Sequence, residues 1–366
     1  MIVLAINSGS SSLKIGLYRV GDGEPAPLFS GPLASIDALR AALADKAVPA
    51  PQAIGHRIVH GGPGLRRHLR IDAAVLQQIE AATPFAPLHT PVAVAAIRHC
   101  AELFPGLPQM ACFDTAFHAG LHDAARVLPL PKAWQSRGIQ RYGFHGLSCE
   151  SIVHHLTRTL PQGLPERVLI AHLGNGASIS AVQAGRSIDT SMGLTPSGGL
   201  IMGTRCGDID PGLLLHLLRE QGSDTERLAT LLDRESGLLG ISGLSSDMRR
   251  LHQAADGDTE HAADARLAIR MFCIAVAKQL AAMMTVLGGA DLIVFSGGIG
   301  EHDAAVRAAV CERLAWFGIQ LDDARNRAEA GGIDRSISSP ASRCAVQVVG
   351  SREDEQIARH VQRLMA

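Results

Sequence analysis

Val3-Leu4-Ala5-Ile6-Asn7-Ser8-Gly9-Ser10-Ser11-Ser12-Leu13-Lys14 carries an apolar strand pattern into a loop of glycine and hydroxyl residues. Near mid-chain, Val168-Leu169-Ile170-Ala171-His172-Leu173-Gly174-Asn175-Gly176-Ala177-Ser178 does the same. In each copy the glycines let backbone N–H groups approach an anion, and Ser or Asn side chains add neutral donors. A phosphate-binding device used twice predicts two related domains facing one nucleotide. Each loop runs at once into a second apolar stretch, Leu13 to Tyr18 and Ile179 to Val182. The pattern is therefore strand-turn-strand, not the strand-turn-helix of a Rossmann or Walker loop, and no G-x-x-x-x-G-K-S/T occurs. Taken singly, either loop reads equally well as an ordinary hairpin turn.

Outward from the loops, a length of 366 residues favours two domains with ample apolar material to bury. The 34 Lys and Arg nearly balance the 35 Asp and Glu, so bulk charge recommends neither a nucleic acid nor an anionic membrane as partner. Any anion site is local. The seven cysteines, Cys100, Cys112, Cys149, Cys206, Cys273, Cys311 and Cys344, are odd in number and dispersed, with no C-x-x-C pair. They read as reduced thiols of a cytoplasmic protein. The first apolar strand is too short for a signal-peptide core. No uninterrupted apolar run approaches the roughly 20 residues of a membrane span.

Strand and helix patterns alternate, which predicts an α/β fold. Gly21 to Pro32 reads as an exposed connection and is followed by a short apolar helix. Ala53 to Gly62 and Met110 to Asp114 read as strands that end on polar residues. Asp72 to Thr83 and Thr90 to Leu103 have helical spacing, the second with Pro91 near its start. Ala262 to Leu287 is a long helix rich in alanine and methionine, apolar on more than one face. It leads into the strand Leu292-Ile293-Val294-Phe295 and the turn Ser296-Gly297-Gly298-Ile299-Gly300-Glu301. That turn reads either as a third nucleotide contact or as a plain strand-to-helix connection.

The densest local chemistry is Asp189 to Pro211, where Arg205 stands between glycine turns and close to Asp208 and Asp210. A planar donor fork suits the oxygens of a transferring phosphoryl group. The same spacing equally allows a structural ion pair of Arg205 with either aspartate. His118 and His122 have the i, i+4 spacing of a zinc pair but lack an adjoining glutamate and a third ligand, so a helix-face coincidence is the reading. Cys206 reads as a small buried thiol, and His154-His155 as a polar patch on a helix.

Several blocks together carry a resemblance: Asn7 through Lys14, His56-Arg57-Ile58-Val59-His60-Gly61-Gly62, Phe113-Asp114-Thr115-Ala116-Phe117-His118, Arg141-Tyr142-Gly143-Phe144-His145-Gly146, His172-Leu173-Gly174-Asn175-Gly176, and Asp189 to Pro211. In this order, and over nearly the whole chain, they resemble the acetate kinase family of short-chain carboxylate kinases. The resemblance implies duplicated ribonuclease-H-like domains of the actin and sugar kinase type, with a nucleotide cleft between them. Residues 1–116 and the returning helix 355–366 would form the first domain. Residues 117–354 would form the second, with the adenosine site and a homodimer interface. The implied reaction is ATP plus acetate to acetyl phosphate plus ADP, run in either direction. A propionate or butyrate kinase of the same family is the nearest alternative. A non-catalytic actin-like nucleotide-binding protein is the alternative of another class, opposed by the presence of both arginine segments and the His145 motif.

Carried onto this sequence, the resemblance implies that Arg57 and Arg205 flank the phosphoryl group and the carboxylate, that His145 donates to phosphoryl oxygens, and that Asn175 completes the cage. His145 and Arg205 would stabilise the transition state. The acceptor is ionised at neutral pH, so no strong base is needed, and Asp114 orients Arg57 or the magnesium shell. Magnesium, replaceable by manganese, is implied near Asn7, Asp114 and Glu353. The segment Ser351-Arg352-Glu353-Asp354-Glu355 departs from the family's Thr-Asn-Glu-Glu. The nucleotide would meet Ser10, Ser12, Lys14, His172, Gly174, Asn175, Gly176, Asp247, Met248, Arg249, Gly297, Gly298, Ile299 and Gly300. Val59, Leu88, Phe144 and Pro196 would surround the acetate methyl. Ser197-Gly198 stands where Leu-Glu is common in the family, which bears on acyl-chain selectivity.

Overall fold

The computed structural model describes residues 1–9, 13–45, 48–328 and 334–366. Ser10 and Ser12, expected on the nucleotide, lie outside the described residues. The chain divides into two compact units: Met1–Ala119 with Leu128–His155 and Ser351–Ala366, and Gly120–Val127 with Leu156–Gly350. The segment Leu128–His155, placed with the second domain on sequence, falls in the first unit. The reason is a helix, Gly146–Thr159, whose Leu147 is buried with Val3, Ala5, Cys112 and Ile357.

The first unit is built on strands β1 (Ile2–Ser8), β2 (Leu13–Arg19), β3 (Ala26–Leu33), β4 (Ala53–Ile58), β5 (Leu69–Arg70) and β6 (Gln109–Phe113), in the order β3-β2-β1-β4-β6-β5. β1, β4 and β6 are parallel, and β2, β3 and β5 run antiparallel to their neighbours. β1 is apolar at every position from Val3 to Ile6 because both of its faces are covered. Val3 and Ala5 point to the C-terminal helix, Glu353–Met365, while Leu4 and Ile6 point to the helix Thr90–Leu103. Gly55 is what lets the C-terminal helix lie close: a Cβ there would overlap Ile357 and stand 2.7 Å from Val361.

The exposed connection expected at Gly21 to Pro32 is largely strand. β3 pairs with β2, with a register shift between Leu17 and Tyr18. Pro27, Gly31 and Pro32 hid it, and proline is tolerated here because β3 is an edge strand that need not donate on its outer side.

The second unit holds β7 (Arg167–Leu173), β8 (Ala177–Gln183), β9 (Arg186–Thr190), β10 (Leu292–Ser296), β11 (Arg335–Ser336) and β12 (Ala345–Val348), ordered β11-β12-β10-β7-β8-β9. Read from the meander inward, β9-β8-β7-β10-β12-β11 repeats β3-β2-β1-β4-β6-β5, with the same parallel and antiparallel pairings. The duplication announced by two glycine loops is thus a duplication of whole sheets in an α/β fold. The helix Ala262–Leu287 has the expected bounds. It is long and apolar enough by composition to cross a membrane, but Ala265, Phe272, Val276, Leu280 and Met284 are buried as core of this unit.

Candidate active site

In the first unit the parallel register sets the geometry. Ile6 pairs with His56 and His56 with Ala111, so Asn7, Arg57 and Asp114 emerge side by side at the carboxyl ends of β1, β4 and β6. Arg57 donates to Asp114 through Nε (3.2 and 3.0 Å) and Nη2 (2.7 Å), and to the Asn7 Oδ1 through Nη1 (2.9 Å). The Asn7 amide N–H groups reach Glu353 Oε2 at 2.9 Å and Asp354 Oδ1 at 2.7 Å. Glu353 Oε2 also lies 3.3 Å from Arg57 Nη1. Glu353 and Asp354 open the C-terminal helix, where the positive end of the helix dipole favours acids.

Electrostatics bind this cluster. Burial alone would lower the Arg57 pKa, but Asp114 and Glu353 outweigh it and hold the guanidinium charged. Burial pushes the Asp114 carboxyl upward, with Arg57 opposing it. The fork donates three bonds to Asp114, and donors of that kind require an ionised acceptor. The pair is therefore guanidinium and carboxylate, and the upward push on Asp114 reflects the desolvation that the pairing offsets. Asp354 is also pushed up, by burial first and then by Glu353, against the Asn7 hydrogen bond.

His145 joins the cluster through the backbone. Gly146 N–H donates to the Asp114 carbonyl at 2.9 Å, and a Cβ on Gly146 would overlap that carbonyl. His145 itself has φ +57°, in the left-handed region that costs a side chain about 1–2 kcal/mol. His118 lies against the same turn, its Nε2 3.0 Å from the Phe144 carbonyl. Burial holds the His118 pKa at about 4 despite that bond, so the ring is neutral and its Nε2–H donates, fixing the turn that presents His145. Val59 and Phe144 are buried and Leu88 is half-buried. Beside Val59, His60 is enclosed by Phe85, Tyr142 and Phe144, with ring centroids 4.9, 4.5 and 5.4 Å away, and accepts from Gly62 N–H at 2.8 Å.

The second unit gathers its own set at the carboxyl ends of β7 and β10. The loop after β7 is closed by Gly174 N–H to the Gly176 carbonyl, 2.9 Å, and docked by Gly203 N–H to the Asn175 carbonyl, 3.0 Å. Ser296 pairs with His172, which brings Gly297 and Gly298 alongside Gly174. The segment Gly297–His302 is a short helix, not a turn. Gly300 is buried in it, and its carbonyl accepts from Arg307 at 2.9 Å. Arg205, 7% exposed, donates to the Pro196 carbonyl at 3.1 Å. The two aspartates weighed as its partners have local roles: Asp208 accepts from Gly199 N–H (2.7 Å), and Asp210 caps the helix Pro211–Glu220. Ser197 donates to Asp233 at 2.5 Å. Asp247 caps the helix Met248–Asp256 and pairs with the exposed Arg249 at 2.7 Å, while Met248 is buried.

Comparison with known proteins decides the family. The Acetokinase family model matches residues 33–359. The chain belongs to the acetokinase family. It is 46% identical to an acetate kinase of Rhodopseudomonas palustris, over 85% of this chain and 77% of that protein. Among solved structures it is similar to the acetate kinase of Porphyromonas gingivalis (TM-score 0.86, 32% identity, 100% of both chains). It is equally similar to a propionate kinase of Francisella tularensis (TM-score 0.87, 35% identity, 99% of both chains).

The acetokinase assignment lets the donor set be tested against a divalent cation. Asp114 and the Asn7 oxygen are engaged by Arg57, so the hard oxygens that remain come from Glu353 and Asp354. Two adjacent half-buried acids, one pushed upward partly by the other, are a site that a small oxygen-seeking cation would relieve. The residues fit magnesium. Asp354 is the member that sequence reasoning missed; its only signal was adjacency to Glu353. Lys14, level with Asn7 across β1 and β2, is exposed and draws the Asp354 carboxyl down.

Proposed function

We propose that the chain catalyses magnesium-dependent, in-line transfer of the γ-phosphoryl group of ATP to acetate, giving acetyl phosphate and ADP, and the reverse reaction. The observation that carries this reading is the Arg57, Asp114, Asn7 and Glu353 cluster at the ends of three parallel strands, with the His145 turn bonded to the Asp114 backbone. A loose phosphoryl transition state spreads charge over equatorial oxygens, and matched cationic forks are worth about 10³ to 10⁵ in rate. Arg57, its fork aligned by Asp114, meets the carboxylate and phosphoryl oxygens. His145 donates to the phosphoryl group. Arg205, held at the Pro196 carbonyl, and Asn175, docked on Gly203, supply further donors, and the glycines at 174, 176, 297 and 298 allow close backbone approach to the nucleotide. Magnesium, or manganese in its place, held by Glu353 and Asp354, would neutralise charge on the nucleotide phosphates. Val59, Leu88 and Phe144 of the first unit offer apolar surface to the methyl group, and Pro196 offers it from the second.

Propionate is the second reading. It is favoured by the Francisella tularensis relative and by Ser197-Gly198 beside Pro196. One methylene in a small apolar pocket is worth only about 1–3 kcal/mol. The test is acyl phosphate formation, trapped as hydroxamate, with acetate, propionate and butyrate. We expect the highest kcat/KM with acetate; an equal or higher value with propionate replaces acetate as the substrate.

We further propose a homodimer formed through the second unit. Leu267, Met271, Ile274 and Val286 are 37 to 45% exposed on the helix Ala262–Leu287, and an apolar face of this kind favours a covering partner. Seven free thiols, six of them buried, support a reducing, cytoplasmic location.

A further inference from the structure

His68, Glu150 and His360 meet inside the first unit, and none belongs to the motifs that carried the family resemblance. Glu150 Oε1 lies 3.3 Å from His68 Nε2, and Glu150 Oε2 lies 2.5 Å from His360 Nε2 and 3.4 Å from the Gln356 amide nitrogen. The two imidazoles are tilted at 36° to each other, with centroids 3.8 Å apart. On its far side, His68 Nδ1 accepts from the Phe113 backbone N–H at 3.0 Å.

That last bond fixes the protons. An accepting Nδ1 carries none, so the His68 proton is on Nε2, aimed at Glu150. His360 Nε2 lies 2.5 Å from Glu150 Oε2 and 2.9 Å from the Gln356 amide nitrogen, which is itself a donor; the carboxylate is the acceptor of the two and the nearer, so the Nε2 proton points at Glu150. The carboxylate therefore accepts from both rings at once. Burial would push Glu150 up, but the bonds from His360 and His68 outweigh it and hold its carboxyl at about 2. Two histidines and a carboxylate have the composition of a cation site. In a ligating histidine, however, the second nitrogen donates a hydrogen bond, whereas His68 accepts there and keeps a proton on the nitrogen that would have to bind.

We infer that Glu150 is a positioning residue for the carboxylates of the phosphoryl-transfer site, tying the C-terminal helix that opens with Glu353 and Asp354 to the strand that ends at Phe113, next to Asp114. The chain of bonds runs from Phe113, next to Asp114, through His68 to Glu150, and from Glu150 to His360 and Gln356 on the C-terminal helix. Glu150 itself stands on the helix Gly146–Thr159, which begins beside His145. A second tie runs parallel to it, Arg359 and His154 sharing Glu24 at 2.6 and 2.9 Å. This inference rests on the proposed reading of Glu353 and Asp354 as the magnesium side of the site.

The test is Glu150→Gln, which keeps the volume but cannot accept from two N–H groups in the same way. Loss of a direct partner behind a cation-binding group lowers affinity about 10- to 100-fold; Glu150 acts through Gln356 and His360, a turn or more beyond Glu353, so the lower end of that range applies. The expected result is a rise of that order in the apparent KM for magnesium, with the acetate KM unchanged and circular dichroism like wild type. The exchange variant Glu150→His/His360→Glu returns a carboxylate between two imidazoles and is expected to restore the magnesium KM. Amide hydrogen exchange at residues 353–356 is expected to be faster in Glu150→Gln, a readout independent of activity. An unchanged magnesium KM in folded Glu150→Gln overturns the inference, as do magnesium and acetate KM values rising together, no rescue by the exchange, or stoichiometric Zn²⁺ binding that Glu150→Gln abolishes. If Glu150→Gln does not fold, His360→Asn, which frees the helix and leaves His68 on Phe113, is judged by the same readouts. A wild-type protein that forms no acyl phosphate refutes the functional reading; hydrogen exchange then decides the tie itself.

Discussion

Gly203→Ala tests the role of Asn175 without touching Asn175. A Cβ on Gly203 would overlap the Asn175 Oδ1 and stand 3.3 Å from both Asn175 Cγ and Ser246 Cβ. The backbone can stay, because Gly203 is not among the glycines with positive φ and its N–H bond to the Asn175 carbonyl does not involve the side chain. What must yield is the amide, which has to withdraw by about 1 Å to reach ordinary van der Waals separation. A displacement of that size costs on the order of 10²-fold in a positioned reaction, and removing one preorganised donor costs about 10² to 10³ in kcat. We therefore expect Gly203→Ala and Asn175→Ala each to lower kcat about 10²-fold or more. The double variant should be no worse than the poorer single one, since both remove the same interaction. The melting temperature should fall only slightly, because the overlapped atom is the end of a side chain that can move and alanine narrows the unfolded ensemble. The assay is initial-rate hydroxamate formation at saturating ATP, magnesium and acetate. Additive losses in the double variant, or a Gly203→Ala enzyme within a few-fold of wild type, would refute the placement of Asn175 in the reaction.

The strained turn predicts a split between stability and activity: His145→Gly should be more stable than His145→Ala by about 1 kcal/mol, because only glycine enters the left-handed region freely, while both lose kcat to the same extent; chemical denaturation and initial rates measure the two. Buried His118 predicts acid sensitivity. Its folded pKa of about 4 lies below the ordinary value near 6.5, so the folded state binds fewer protons between them. The stability it contributes is present above about pH 6.5 and is lost as pH falls towards 4. His118→Gln, which can still donate to the Phe144 carbonyl, should flatten melting temperature against pH over that window; an unaltered slope would assign the sensitivity elsewhere. Finally, Ile274→Arg on the exposed face of the helix Ala262–Leu287 should give a monomer by light scattering, and a dimer that persists would move the interface off this helix.

Much of this protein is local and could be read from its sequence. The helices Thr90–Leu103 and Ala262–Leu287 have the bounds that apolar spacing assigns, and the two glycine loops announced a duplication because each follows an apolar strand whose neighbours cover both faces. β3 escaped, since proline and glycine in an edge strand look like a connection until pairing with β2 supplies the missing context. The motif residues Asn7, Arg57, Asp114 and His145 could be named, but not joined. Asn7 and Glu353 are 346 positions apart, and only strand register and a close-packed C-terminal helix, allowed by Gly55, bring them within hydrogen-bond distance. Asp354 and Glu150 carry no signal of their own in the chain, because an acid in a helix reads as solvated until burial gives it partners. Local propensity and periodicity fixed which segments are strands and helices, for those depend on neighbours in sequence. The tertiary structure alone decided which charges face one another, because Coulomb and hydrogen-bond energies depend on separations that sequence distance does not set.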